Sequence, residues 1–172
     1  MNSDSTNEHY AHRADLAGEH KFGDAGQFLL MFLFIVTWIL DTFLFKWTIF
    51  LNTSIPLGVR IAVGSVILVF AGYLAKTTLG IVFGEKGEHT GVIRTGPYNI
   101  IRHPMYLSEV LAYLGILCLS ISLLAAVIWL IAIAFGYFLC RFEEGLLLKR
   151  FGEEYKQYMR DVPLWFPRIG KS

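Results

Sequence analysis

Residues 27–50 read QFLLMFLFIVTWILDTFLFKWTIF. Crossing about 30 Å of hydrocarbon takes roughly 20 helical residues, and this stretch is long enough despite its two charges, Asp41 and Lys46. Lys46 is near enough to one end to snorkel its ammonium to the interface. Asp41 is more awkward: either it sits deep in a bundle beside a polar partner, or helix tilt carries it to the boundary. An ionisable side chain at depth is a functional candidate by default. The rest of the chain has the same character. Of its 172 residues 55% are hydrophobic and only 17% charged, and the mean hydropathy is +0.51. A soluble domain averages about 25% charged residues, so this chain lacks the polar surface to cover itself and reads as an integral membrane protein. Fifteen basic residues against 14 acidic ones leave a net charge of +1, with no overall field to draw nucleic acid. Cys118 and Cys140 lie inside apolar runs without metal-ligand spacing and read as packing residues.

Hydropathy divides the chain further. Residues 1–26 are polar, hold His9, His12 and His20, and lack the apolar core and cleavage pattern of a signal peptide. A turn signal at 52–56 precedes a second span over 57–75, with Gly64 and Gly72 available for close helix contact. Residues 76–104, rich in charge and glycine, form a polar connection. Two shorter apolar segments, 105–119 and 123–140, joined through Ser120 and Ser122, read as a tight antiparallel hairpin. The expected fold is therefore an all-α membrane bundle of about four transmembrane helices. A cytoplasmic amphipathic helix over 141–160 follows, and residues 27–172 form one domain behind the 1–26 leader. With four spans both termini share a side. That side then holds Arg13, Lys21 and the basic residues of 76–102 and 141–171, while the other receives only Arg60, apart from Lys46 within the first span. The positive-inside rule places the shared side in the cytoplasm.

This topology brings two distant stretches to one membrane face. The hairpin joins the 76–104 connection to the C-terminal tail, so Arg102 and His103 are expected beside Glu143 and Glu144. In the tail, Leu148, Phe151, Tyr155 and Tyr158 recur at helical spacing as an apolar stripe. Lys149–Glu153 and Arg150–Glu154 are opposite-charge pairs on the solvated face. Helical steps place Glu143 and Glu144 on the apolar side, where a carboxylate is costly unless a cation meets it. That cation is either Arg102 or Arg141, or else a cationic ligand.

Thr95-Gly96-Pro97-Tyr98, Arg102-His103-Pro104-Met105-Tyr106, the hairpin, Glu143-Glu144, Phe151-Gly152-Glu153-Glu154-Tyr155, Tyr158 and Val162-Pro163 follow one another in order. As a set they resemble the isoprenylcysteine carboxyl methyltransferase and phospholipid methyltransferase superfamily over about residues 88–167. The resemblance implies an integral-membrane enzyme using S-adenosylmethionine, with the cofactor held between the last two spans and their cytoplasmic flanks. By position it implies that Thr90, Gly91, Val92, Ile93, Tyr98, His103, Pro104, Met105 and Tyr106 contact the cofactor, with Glu143 and Glu144 closing the pocket. Carboxylates suit the cofactor's cationic groups, and Arg102 suits its carboxylate. Tyr98 and Tyr106 offer aromatic walls beside the sulfonium. Pro104 fixes the entry to the third span. His103 either orients the cofactor by a hydrogen bond or assists proton removal from an amine acceptor.

The acceptor implied is a lipid or lipidated molecule arriving through the membrane; no nucleic acid and no metal is expected. Three positions depart from the superfamily pattern. Ser108 stands where a glycine is frequent. Glu109 follows it inside the third span and is a candidate for the acceptor side, or for pairing with the helix of Asp41. Leu139 lies near where the eukaryotic prenylcysteine enzymes carry an arginine. These departures point away from a standard farnesylcysteine. Alternatives are a phosphatidylethanolamine-type N-methyltransferase, a nicotinamide-dependent reductase of the sterol-reductase type, or a non-enzymatic membrane scaffold. A soluble methyltransferase is excluded, because Gly84, Gly87 and Gly91 do not form GxGxxG within a strand–helix alternation.

Overall fold

A computed structural model describes residues 23–82 and 91–166. Most of the polar leader, with its three histidines, and Thr90 lie outside the described residues.

Helix α1, Gly23–Ile39, widens into a π-helical turn, Leu40–Phe45, and ends where Lys46 takes a left-handed conformation. The span expected over 27–50 therefore starts earlier and stops five residues short. Asp41 is the cause: its carboxylate accepts the backbone N–H groups of Trp47 (2.9 Å) and Thr48 (3.1 Å) and folds the chain back on itself. After a 3-10 turn at Phe50–Thr53, α2 runs over Leu57–Val82. It overshoots its expected end at 75 and absorbs Lys76, Thr77 and Thr78. Thr77 returns its hydroxyl to the Tyr73 carbonyl at 2.8 Å.

Helix α3, Pro104–Leu119, opens on a proline, which suits a first turn because its missing N–H would have had no partner there. Residues 120–122 make the expected link. Ser122 then caps α4, Leu123–Phe151, by accepting the Ala125 N–H at 3.2 Å. Helix α4 does not stop at 140. It continues for 29 residues, until Gly152 adopts φ 55° and donates its N–H to the Leu148 carbonyl. Positive φ is cheap only for glycine, so the single helix expected over 141–160 is instead the end of α4 plus a separate α5, Glu153–Asp161. The break redirects the charges: Glu153 pairs with Lys156 at 2.9 Å, and Glu154 accepts the Val92 N–H at 3.1 Å.

Among the described residues the protein is all-helical. Three helices are long and apolar enough to cross a membrane: Gly23–Phe45, Leu57–Val82 and Leu123–Phe151. Helix α3, with 16 apolar-rich residues, is shorter, spanning about 24 Å at 1.5 Å per residue. It packs tightly on α2 where Gly64 meets Gly115. A Cβ on Gly64 would fall 2.8 Å from the Gly115 carbonyl oxygen, and one on Gly115 would fall 2.7 Å from Leu68. Small residues thus let the backbones approach. Gly72, the other expected contact, faces open space. Helix α1 lies on α4, Gly26 against the Phe135 ring. Phe34, Tyr113, Leu117, Ala125 and Ala132 form the core between α1, α3 and α4, with Phe34 edge-on to Tyr113 at 4.7 Å.

Because α3 and α4 form a hairpin, the C-terminal end of α4 returns to the level where α3 begins. At the opposite end the turns are tied by polar groups. Asp41, only 2% exposed, also accepts the hydroxyls of Ser122 (2.6 Å) and Thr48. Asn52 binds the Ile121 N–H at 2.9 Å and the Ser120 hydroxyl at 3.0 Å. Arg60 donates to the Leu119 carbonyl at 3.0 Å. Asp41 thus sits at the turn end of the bundle with its carboxylate fully bonded to polar groups.

Candidate functional site

The site is built where α3 starts and α4 leaves the apolar region. Arg102 and His103 immediately precede Pro104. Their backbone N–H groups are bound by the carbonyls of Pro163 (2.9 Å) and Leu164 (3.3 Å) in the segment after α5. This holds both side chains toward α4. Arg102 Nε lies 2.8 Å from Glu144 Oε1, while its Nη1 donates to the Met159 carbonyl at 2.8 Å. Arg141 reaches the other Glu144 oxygen at 2.7 Å. Glu144 is therefore 1% exposed yet met by two arginines, the ion-pair arrangement that its position on an apolar face requires.

Glu143 has different partners. It accepts the Tyr106 hydroxyl and lies 3.5 Å from His103 Nδ1, while His103 Nε2 lies 3.6 Å from Glu144. The two stretches expected to meet do meet. Burial disfavours charge on His103, but the surrounding Cys140, Glu143 and Glu144 side chains outweigh it and hold its pKa well above the usual histidine value. The shift favours the charged imidazole, whose two ring nitrogens each face a carboxylate. Burial, and then the Glu143 charge, push the Tyr98 phenol up to about 12, so Tyr98 stays a neutral wall of the site.

The remaining expected residues divide. Gly91, Val92 and Ile93 lie beside α5, with Gly91 so close that a Cβ there would meet Glu154 Oε1 at 3.2 Å. Tyr98 is anchored to α5 through its carbonyl, which accepts the Tyr158 hydroxyl at 2.6 Å. Tyr155 and Tyr158 are buried with Val92, Leu147, Leu148 and Phe151, the expected apolar stripe now bent around Gly152. Pro104 is buried, whereas the Met105 side chain is 37% exposed. Glu109 stands apart from the Arg102–His103–Glu143–Glu144 cluster. It accepts Gln27 Nε2 at 2.8 Å and the Tyr113 hydroxyl at 3.2 Å. Its link to the first helix is thus through Gln27, not Asp41. Ser108 turns its hydroxyl back to the Met105 carbonyl at 2.6 Å.

Sequence reasoning missed three participants: Cys140 beside His103, the Met159 carbonyl on Arg102, and Trp165. Only Cys140 left a signal, standing one helical turn before Glu143 and Glu144. Next to Arg102 an open groove of about 590 Å³ is lined by Leu148, Lys156, Met159 and Arg160. His103 Nε2 and Glu144 Oε1 are buried without a well-directed hydrogen bond. Among the described residues, no three His, Cys, Asp or Glu side chains are grouped to hold a metal ion. A cluster with opposed charges and incompletely bonded atoms suits a small ligand that carries both charges.

The chain belongs to the phospholipid methyltransferase family, whose pattern covers residues 53–154. It is 35% identical over 89 residues to the nickel-cobalt-cadmium resistance protein NccN of Alcaligenes xylosoxydans xylosoxydans, covering 51% of this chain and 40% of that one. It is 31% identical over 83 residues to the cobalt-zinc-cadmium resistance protein CzcN of Cupriavidus metallidurans, covering 48% and 38%. The chain thus spans about two-fifths of the length of these curated relatives. No solved structure matches it.

Proposed function

We propose that this protein is an integral-membrane methyltransferase that uses S-adenosylmethionine to methylate a lipid-embedded acceptor, in the manner of the isoprenylcysteine carboxyl methyltransferases. The observation that carries the reading is the convergence of Arg102, His103, Tyr106, Glu143 and Glu144 at one end of the α3–α4 hairpin. When bound, the cofactor supplies a methyl group already activated on a sulfonium. The protein then has to bind, align and exclude water.

Glu143 is suited to take the cofactor's ammonium, since its present partners are the Tyr106 phenol and the His103 imidazole, which can yield. Glu144, already bound by two arginines, serves to hold Arg102, whose remaining N–H groups suit a carboxylate. Tyr106, fixed by its bond to Glu143, and Tyr98 supply aromatic faces, worth about 0.5–2 kcal/mol to a nearby cation. His103, its ring nitrogens facing Glu143 and Glu144, orients the two carboxylates. Polar ligand access is from the side of α5, and the acceptor enters between helices. We place both termini in the cytoplasm; a reporter fused to either end and read on the opposite side of the membrane would refute that.

A second reading is transfer to a phosphatidylethanolamine-type amine, with Glu109, held by Gln27 and Tyr113 within the third helix, as the group that would meet the amine. The test for both is incubation with radiolabelled S-adenosylmethionine and total membrane lipid, followed by identification of the labelled product. Label in a lipid establishes the reaction and names the acceptor. No label in any lipid, together with no calorimetric S-adenosylmethionine binding, removes it. Efficient methylation of a short farnesylcysteine mimic would contradict the reading of Ser108, Glu109 and Leu139. Any role in metal tolerance, which the names of the two relatives state for those proteins, would be exerted through the methylated product.

A further inference from the structure

After α5 the chain does not run off into solvent. Residues 162–165 turn back along α4, fastened by the bonds from the Arg102 and His103 N–H groups to Pro163 and Leu164. The fold-back delivers Trp165 to Gly136, where a Cβ would lie 3.8 Å from the indole ring and 3.9 Å from Tyr106. Tyr137 meets the same indole edge-on, with ring centroids 6.4 Å apart. Gly136 is seven residues before Glu143, about 10 Å back along the helix. Trp165 therefore stands on the apolar side of the charged cluster, separated from it by the Tyr106 ring.

Its indole nitrogen is the informative atom. Trp165 is 7% exposed, and its N–H is buried without a hydrogen-bond partner. The other tryptophans behave differently. Trp38 donates to the Ser120 carbonyl and Trp129 to the Val110 carbonyl, both at 3.0 Å, while Trp47 is exposed. Buried tryptophan N–H groups ordinarily find an acceptor, and one that does not calls for an explanation. The indole can only donate, so whatever completes it must bring an electron-rich atom.

We propose that Trp165 is an acceptor-binding residue: its N–H donates to an oxygen, ester or phosphodiester, of the lipid that receives the methyl group. The fold-back segment thus forms one wall of the acceptor site. This rests on the methyltransferase reading above and adds the residue that recognises the lipid beside the reacting group. Gly136 provides the flat seat of the indole, and the rings of Tyr106 and Tyr137 flank it.

The test is Trp165→Phe, which keeps an aromatic ring on Gly136 and removes only the donor. With radiolabelled S-adenosylmethionine and mixed micelles of total polar lipid, the lipid KM should rise about tenfold. S-adenosylmethionine affinity, by calorimetry, should be unchanged. Trp38→Phe, which loses a satisfied structural bond, should leave the lipid KM alone. An unchanged lipid KM in Trp165→Phe, or an equal loss of cofactor affinity, overturns the assignment. A second measurement does not depend on turnover. In 5-fluorotryptophan-labelled protein, the Trp165 fluorine resonance should move when polar lipid is titrated into fixed detergent, with or without cofactor. A resonance that does not move overturns the proposal. A protein that shifts this resonance yet neither binds S-adenosylmethionine nor transfers methyl sinks the reaction reading while leaving the lipid contact standing.

Discussion

The two ends of the α3–α4 hairpin each bury carboxylates, and they treat them in opposite ways. At the far end, Asp41 is surrounded by neutral donors, two backbone N–H groups and two hydroxyls, and its bonds close a turn. At the near end, Glu143 and Glu144 face two arginines, Arg102 and Arg141, and the His103 imidazole, with buried polar atoms left poorly bonded. A carboxylate saturated by local donors is a structural fastener, because nothing remains for a ligand to supply. One balanced by exchangeable ionic partners is poised to trade them. Burial alone does not separate the two cases; the identity and completeness of the partners do.

The largest effect should come from the near end. Glu143→Ala should weaken S-adenosylmethionine binding by at least about 30-fold, since truncating one partner of a buried charge pair costs about 2–5 kcal/mol, while the thermal midpoint changes little. Calorimetry in detergent beside a melting curve checks both, and unchanged affinity would erase the contrast between the ends. Asp41→Ala should do the reverse. Stripping four donors of their acceptor should destabilise the fold by about 3 kcal/mol or more, with cofactor affinity of the folded fraction retained. Gly115→Ala probes the α2–α3 crossing that supports both ends. Its methyl would meet Leu68 at 2.7 Å, and overpacking of this kind costs about 1–3 kcal/mol. A thermal midpoint equal to wild type would show that Leu68 rearranges freely.

The smallest effect is the pH dependence. The folded-state pKa of His103 is raised, so its contribution to stability is complete below the unfolded value, about 6.5. It is lost as pH rises through the higher folded value. Melting temperature in detergent should therefore fall from neutral toward alkaline pH, and His103→Gln should flatten that slope. Asp41→Ala should leave the slope in place, because among the described residues no histidine faces that carboxylate. A wild-type profile flat over this range would mean that His103 is neutral in the folded protein.

Much of the architecture was legible in the chain. The apolar runs identified four helices, since a run of hydrophobic side chains has no other place to go in a membrane protein. The hairpin arithmetic put Arg102 and His103 beside Glu143 and Glu144. Boundaries were less legible. Hydropathy does not register the turn that Asp41 closes, nor a positive φ at Gly152, so the first helix was read past its end and the last as unbroken. Glu109 was read either as facing the acceptor or as pairing with the helix of Asp41, and Gln27 of that helix is its partner. In space its helix turns it toward Gln27 and Tyr113, one turn beyond Tyr106.

Sequence by itself determined the solvent this protein lives in, the number of its helices and which polar residues share an end, because these follow from hydropathy, length and connection order. Tertiary structure alone decided how the charges are partitioned. It gave Glu144 to two arginines, Glu143 to Tyr106 and His103, and Asp41 to hydroxyls and amides, and it brought Trp165 back onto Gly136. Those pairings depend on ångström-scale distances between segments up to 81 residues apart, and no local pattern in a chain encodes a distance.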